Sequence, residues 1–126
     1  MSISIISSLY RVEAHLPQFT ASVQQFAEAV HQAGVDVRYI PIVNDATEAE
    51  QTAIEQLAHR INTAGHGRMS PQYVGRETLY ASWNRGVRVG GTPYFSFWNA
   101  DDVRDAEAFI EGYHALQDGA TLVDYI

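Results

Sequence analysis

The residues of this sequence best suited to chemistry are amide and carboxylate side chains that directly follow an aromatic segment. Residues 94–98 are almost entirely aromatic, and Asn99, Asp101 and Asp102 come next. The length and composition of the segment predict a strand that is buried on both faces, as in the middle of a parallel sheet. Ligands of open α/β sheets bind outside the carboxyl ends of the strands, where carboxylates can hold Mg²⁺ or Mn²⁺ against a phosphate.

A second group with chemical potential is the arginines that precede this segment. The chain has eight basic residues besides histidine, and all of them are arginines. Arg76, Arg85 and Arg88 lie within one short segment ahead of the aromatic strand. The planar guanidinium suits phosphate recognition, although the same spacing also fits a solvated helix face.

The composition limits the class of protein. A chain of 126 residues suits one domain, and its 46% hydrophobic and 18% charged residues are typical of a soluble globular protein. The absence of cysteine excludes a disulfide scaffold, thiolate zinc sites and cysteine nucleophiles. A net charge of −7 argues against a nucleic-acid binder. The apolar N-terminal segment is too short for a membrane span and has no basic residue before it, so we expect a cytoplasmic protein.

The elements that must position these side chains alternate along the chain. Apolar residues at three- and four-residue spacing predict helices around residues 16–30, 54–61, 76–89 and 106–116, and Thr47 with Glu50 fits a capping box ahead of the second helix. Strands are predicted at residues 2–9, 35–43, 72–74, 94–98 and 121–126, with a loop over residues 62–71. The alternation predicts an α/β fold in which a mostly parallel sheet carries helices on both faces.

Polar residues follow three of the predicted strands. Tyr10 and Arg11 come after the first, Asn44 and Asp45 after the second, and the amide and carboxylates after the aromatic one. If the first strand lies between the other two, these ends line one crevice at the switch point of a doubly wound sheet.

In this order the motifs resemble those of family 2 glycosyltransferases. The resemblance is to the nucleotide-binding half, which has the GT-A fold, and it covers nearly all of residues 1–126. It rests on residues 43–47 (Val-Asn-Asp-Ala-Thr), residues 83–86 (Trp-Asn-Arg-Gly) and the DXD-like residues 97–102 (Phe-Trp-Asn-Ala-Asp-Asp).

The resemblance implies that the chain binds a UDP- or GDP-linked sugar for transfer to an unknown acceptor. The implied nucleotide-sugar residues are Ser8, Tyr10, Arg11, Asn44, Asp45, Gly75, Arg76, Asn84, Arg85 and Asn99. By this resemblance, the loop after the first strand and the Asn44-Asp45 turn would hold the base, with Tyr10 stacking on it. The residues that would border the ribose and diphosphate are Gly75, Arg76, Asn84 and Arg85. Asp101, and with it Asp102, would bind Mg²⁺ or Mn²⁺, which neutralises the departing diphosphate in that family.

The chain departs from the family in two respects. Asn44 and Asn99 stand where the family has acidic residues, which keeps oxygen acceptors but removes two negative charges. The chain also ends where the acceptor-binding half would begin, so we assign no catalytic residue, and Asp124 on the last predicted strand is a poor candidate.

Each candidate also has a simpler interpretation. Asp102 or Asp105 could cap the helix that follows, and Asp101 could be an ordinary loop carboxylate. Asn44 and Asp45 could simply start the second helix, and Tyr10 could border the core. Trp83 and Trp98 fit core positions, and the histidines are scattered without paired ligand spacing.

Two other classes of function remain open from the sequence. The first is a non-catalytic interaction or regulatory module, which would self-associate, most simply as a homodimer, through apolar residues 122–126. The second is a small nucleotide-binding enzyme of flavodoxin-like topology, which the strand order would distinguish.

Overall fold

A computed structural model describes residues 2–119 and shows the predicted alternation of strands and helices. The elements are β1 (Ser2–Leu9), α1 (Leu16–Gln32), β2 (Asp36–Asn44), α2 (Glu48–Ala64), β3 (Arg68–Met69), β4 (Gln72–Val74), α3 (Leu79–Gly90), β5 (Tyr94–Phe97) and α4 (Ala106–Gln117), with a 3-10 turn at Glu13–His15 before α1. The strand predicted at residues 121–126 lies outside the described residues. Within residues 2–119, no helix is both long enough and apolar enough to cross a membrane.

The strands form one parallel sheet of Rossmann-like topology. The strand order is β3-β2-β1-β5, and β4 pairs with β2 further along that strand. Ser2 lies opposite Asp36 and Leu9 opposite Val43, while Ile6 on the other side lies opposite Phe97. The prediction that the first strand lies between the second and the aromatic strand is therefore confirmed. The chain reverses its direction of travel across the sheet at β1, which is the switch point of a doubly wound fold.

Helices cover both faces of the sheet, as the pattern predicted. The larger core lies between the sheet and helices α1, α2 and α4, and it includes Phe19, Phe26, Leu57 and Phe109. The other face carries α3, which contributes Trp83 and Val87 over a smaller cluster of isoleucines: Ile6, Ile40 and Ile42. The regular alternation of burial along β1 and β2 is absent because both faces of these strands are covered.

Small residues let α3 approach the sheet closely. A side chain at Gly86 would overlap the side chain of Ile6, and one at Gly90 would overlap Ser4. The two glycines are four residues apart, so they lie on the same face of the helix. The close approach of α3 to the sheet therefore requires that these two positions carry no side chain.

Capping residues decide where two helices begin. The predicted capping box at Thr47 and Glu50 is confirmed, with each side chain accepting from the other residue's backbone N–H. Helix α3 begins at Leu79, because the side chain of Thr78 accepts from the backbone N–H of Ala81. The predicted start at residue 76 was therefore three residues early.

The structure corrects the expected loop at residues 62–71. Helix α2 continues to Ala64 and ends at Gly65, which has a positive φ. Arg68–Met69 then pairs with β2. The Asn62 amide donates to the carbonyl of Met69 and its oxygen accepts from the Met69 N–H, which fixes this short strand.

The structure also corrects the prediction that the aromatic strand is buried on both faces. Phe95 is 50% exposed, and the other residues of β5 are only partly buried. The reason is position: within residues 2–119, β5 pairs only with β1, while α3 lies over β1 and β2. Trp83 of α3 reaches β5, and its ring stacks on Phe97 with a centroid separation of 4.2 Å.

Candidate functional site

A cavity opens at the carboxyl ends of β1, β2 and β5. Its volume is about 820 Å³, which falls in the range of small-molecule sites. It is lined by Ser8, Tyr10, Arg11, Val12, His15, Asn44, Arg76, Glu77, Thr78, Leu79, Asn99, Ala100 and Asp101. The cavity therefore lies at the switch point of the sheet.

Most of the residues singled out in the sequence line this cavity. Those brought together are Ser8, Tyr10, Arg11, Asn44, Arg76, Asn99 and Asp101. Those outside its lining are Asp45, Gly75, Asn84, Arg85 and Asp102. Gly75 and Asn84 are exposed at the start of the β4–α3 connection and on α3, respectively. The residues that sequence reasoning missed are Val12, His15, Glu77, Thr78, Leu79 and Ala100, and of these Glu77 had a signal, its position next to Arg76.

Two guanidinium groups lie against the ring of Tyr10. The guanidinium carbon of Arg76 is 4.6 Å from the ring centroid, and that of Arg11 is 5.1 Å from it. These distances are those of cation–π contacts. Arg11 also has a positive φ of 52°, which is uncommon for a residue with a β-carbon and occurs disproportionately at functional sites.

Asn44 is a buried residue of the cavity lining, and its side chain forms hydrogen bonds with other segments of the chain. It is 2% exposed, and its amide nitrogen lies within hydrogen-bonding distance of the Ser82 hydroxyl (3.2 Å) and the carbonyl of Leu9 (3.3 Å). Its side-chain oxygen accepts from the backbone N–H of Glu77 at 2.9 Å. The position therefore needs a donor as well as an acceptor, which an amide supplies and a carboxylate does not. This is a structural reason why an asparagine stands at residue 44, where the glycosyltransferase motif that the sequence resembles has an acidic residue.

The turn from Asn44 to Glu50 holds both loops that carry the arginines. Asp45, which has a positive φ of 45°, accepts from the backbone N–H of Arg76. On the other side, the carboxylate of Glu50 accepts from the backbone N–H of Val12 at 2.9 Å and is only 1% exposed. The positions of Arg11 and Arg76 are thus both set from one turn.

Glu77 is paired with Arg85 in a two-pronged ion pair. Both N–H···O distances are 3.0 Å, and the Ser82 hydroxyl donates to the same carboxylate. The hydrogen bond from Arg85 is the main reason why the pKa of Glu77 is lowered from 4.5, with the Ser82 bond adding to it against partial burial. The same pair raises the pKa of Arg85. The Arg85 guanidinium is therefore engaged by Glu77, and Arg85 lies outside the cavity lining. The resemblance instead implies that Arg85 borders the ribose and diphosphate.

Replacing Glu77 with glutamine should lower stability at about pH 7, and this loss should shrink as the pH falls below 4.5. The pKa of the folded-state carboxylate is lowered, so its contribution is present above its ordinary value of 4.5 and is lost as the pH falls through the lowered pKa. Urea denaturation of both proteins across this pH range measures the difference. The matched control is Glu55→Gln on the exposed side of α2, and a Glu77→Gln effect that does not change with pH would contradict the assignment.

The segment that carries Asn99 and Asp101 is held by the residues on either side of it. The indole N–H of Trp98 donates to the carbonyl of Asp102 at 3.0 Å. Arg104 donates to the Ser96 hydroxyl and the Phe97 carbonyl. Burial lowers the pKa of Arg104 to about 10, with Asp102 and Tyr39 opposing the shift, so this guanidinium stays charged at neutral pH.

Helix α4 is capped by Asp105, whose side chain accepts from the backbone N–H of Glu107. Of the two alternatives left open, Asp105 is therefore the cap. The Asp102 carboxylate lies outside the lining of the cavity, while its backbone N–H donates to the Asn99 carbonyl. Asp102 contributes to the shape of the loop through its backbone.

The donor set of the cavity does not fit a metal site that the protein builds by itself. Across residues 2–119, no group of three or more histidine, cysteine or acidic side chains is placed to hold a metal ion. Asp101 lines the cavity, but Glu77 is engaged by Arg85. Away from the cavity, the ring centroids of His31 and His66 are 5.3 Å apart, which the scattered spacing of the histidines did not predict. Mg²⁺ and Mn²⁺ prefer several oxygen ligands, and the described lining of the cavity offers Asp101 as its one carboxylate without an ion pair.

No protein family model matches the sequence, and no curated protein matches it. The fold and the cavity therefore define a Rossmann-like α/β protein with a polar crevice at its switch point.

Proposed function

We propose that the chain is a nucleotide-sugar-binding domain of the family 2 glycosyltransferase type. The observation that carries the proposal is the convergence of three strand ends on one cavity, which brings together Tyr10, Arg76, Asn99 and Asp101. Crevices at a switch point are the usual ligand sites of open α/β sheets. The order of the family motifs along the chain favours a nucleoside-diphosphate sugar over other nucleotides.

Within this proposal each part of the cavity has a role. Tyr10 and the backbone at the end of β1 would border the base. Arg11 and Arg76 would face the diphosphate, because their donors match phosphate oxygens. Asn99 and Asp101, at the end of β5, would lie nearest the sugar and accept hydrogen bonds from its hydroxyl groups. The domain would in this way hold the donor for attack by an acceptor hydroxyl at the sugar carbon.

Asn44 has a supporting part in this arrangement. Because its amide is buried and bonded to the chain, it would position the end of β1 and the Glu77 backbone. Asp45 would act in the same way on the backbone of Arg76.

Calorimetric titration with UDP and with GDP tests the proposal. Saturable binding of one of them, competed by the corresponding nucleotide sugar, is the expected result. The matched variant is Tyr10→Ala, which removes the ring that both guanidinium groups contact and should weaken binding of either nucleotide. Absence of binding by both nucleotides would overturn the proposal.

A second candidate is an interaction module that keeps the fold without donor binding. A row of aromatic rings favours it: Tyr80 contacts Trp83, Trp83 stacks on Phe97, and Phe97 contacts Phe95. Tyr80 is 72% exposed, and exposed apolar surface of this kind marks partner-binding sites. The residues first expected to mediate a dimer, 122–126, lie outside the described part of the chain. The nucleotide titration separates the two candidates, because only the first requires binding.

A further inference from the structure

The two arginines at the cavity, Arg11 and Arg76, have no ion pair among the described residues. The side chains of Arg11 and Arg76 contact the Tyr10 ring, and neither has an ion pair or a side-chain hydrogen bond within residues 2–119. Both are exposed. The whole chain carries a net charge of −7, so two unpaired cations side by side run against the overall charge.

The other charged groups of the lining do not cancel them. Glu77 is already paired with Arg85, which leaves Asp101 as the lining carboxylate without an ion pair in the described residues. Within the lining, the two arginines therefore outnumber the one carboxylate without an ion pair, an arrangement that favours an anion.

The positions of the two guanidinium groups are set by the fold. Both guanidinium groups contact the Tyr10 ring, so one side chain of the cavity wall holds the two positive charges near each other. Their backbones are held from the Asn44–Glu50 turn, by Asp45 at Arg76 and by Glu50 at Val12, next to Arg11. Arg11 has a positive φ, a backbone conformation that few residues with a β-carbon adopt. The backbones that carry the two guanidinium groups are therefore anchored by hydrogen bonds within the chain.

We propose that Arg11 and Arg76 bind a diphosphate directly and take the place of the divalent cation that the family resemblance implies. Each guanidinium donates to phosphate oxygens in a charge-assisted pair, and the two positive charges offset the charge of the diphosphate. The inference rests on the proposed function for the nucleotide part of the ligand, but the diphosphate contact stands on the arginines alone. Binding is expected to be independent of metal.

Titration with inorganic pyrophosphate in EDTA tests the arginine pair without a base. Wild-type protein should bind it, and Arg11→Gln or Arg76→Gln should each weaken binding about tenfold, the effect of losing about 1.5 kcal/mol of charge-assisted hydrogen bonding. The matched control is Arg60→Gln, which removes the same charge from α2, where Arg60 donates to Gln24 outside the cavity. Unchanged pyrophosphate affinity in both cavity variants would overturn the inference.

Titration with UDP or GDP, once in EDTA and once with Mn²⁺, tests the metal-independence. Affinities that agree within about twofold support the inference, since no metal ligand set would then contribute. Nucleotide binding that appears only with Mn²⁺ would overturn it. Binding of pyrophosphate without tighter binding of either nucleotide would support the arginine site while overturning the proposed nucleotide function, so the two failures are distinguishable.

Discussion

Replacing Trp98 with alanine should lower the free energy of unfolding by about 3–5 kcal/mol. Trp98 is 1% exposed and is among the largest fully buried side chains. Its ring packs edge-to-face against Phe26 at 5.0 Å and Phe19 at 6.2 Å. The substitution leaves a cavity between the sheet and α1 that the surrounding helices cannot fill, and small domains have only about 5–15 kcal/mol of stability to lose.

The same substitution should also loosen the candidate site. The indole N–H of Trp98 holds the Asp102 carbonyl, which closes the loop carrying Asn99 and Asp101. Urea denaturation followed by circular dichroism measures the stability, and Trp98→Phe separates the two effects, because it keeps much of the packing and removes the hydrogen bond. Val103→Ala is the control, since Val103 lies in the same loop and is 69% exposed. A loss below about 1 kcal/mol for Trp98→Ala would contradict this account.

The second large effect is expected for Asn44→Asp, which introduces the acidic residue of the motif that residues 43–47 resemble. The amide of Asn44 faces the Leu9 carbonyl and the Ser82 hydroxyl, and Ser82 in turn donates to the Glu77 carboxylate. The substitution removes the donor and buries a charge among acceptors, which should cost about 3 kcal/mol or more. Urea denaturation at neutral pH measures this loss.

The pH dependence of the Asn44→Asp effect follows from the same geometry. Burial among acceptors would raise the pKa of the introduced carboxyl, so its protonated form would be the better tolerated one. The destabilisation relative to wild type should therefore shrink as the pH is lowered. A difference that grows at low pH would contradict the argument.

Asn99→Asp is the matched control, because it makes the same chemical change at the other departure from the motif. Asn99 is exposed at the end of β5, so an added charge there remains solvated. Its effect on stability should stay within about 0.5 kcal/mol, which is usual for surface substitutions. Equal losses for the two variants would show that burial does not decide the outcome.

The sequence determined those features of the fold that depend on local and periodic signals. The apolar spacing of Phe19, Val23 and Phe26 requires one face of a helix to be buried, and that helix is present. Thr47 and Glu50 lie within hydrogen-bonding reach whenever a helix starts there, so their capping box could be predicted. The alternation of strands and helices limited the sheet to parallel arrangements with right-handed connections. These signals also led to the correct expectation that three strand ends share one crevice.

The tertiary structure alone decided how the side chains in that crevice are used. The partners of Asn44 come from residues 9, 77 and 82, and the Tyr10 ring meets an arginine from the β4–α3 connection. Such contacts depend on loop conformations, including the positive φ values of Arg11 and Asp45, which leave no periodic trace in a sequence. The exposure of Phe95 likewise follows from its strand's place at the edge of the described sheet, although its composition resembles that of a central strand. Residue types thus defined which groups were available for chemistry, and packing between distant segments decided which of them remain unpaired at the cavity.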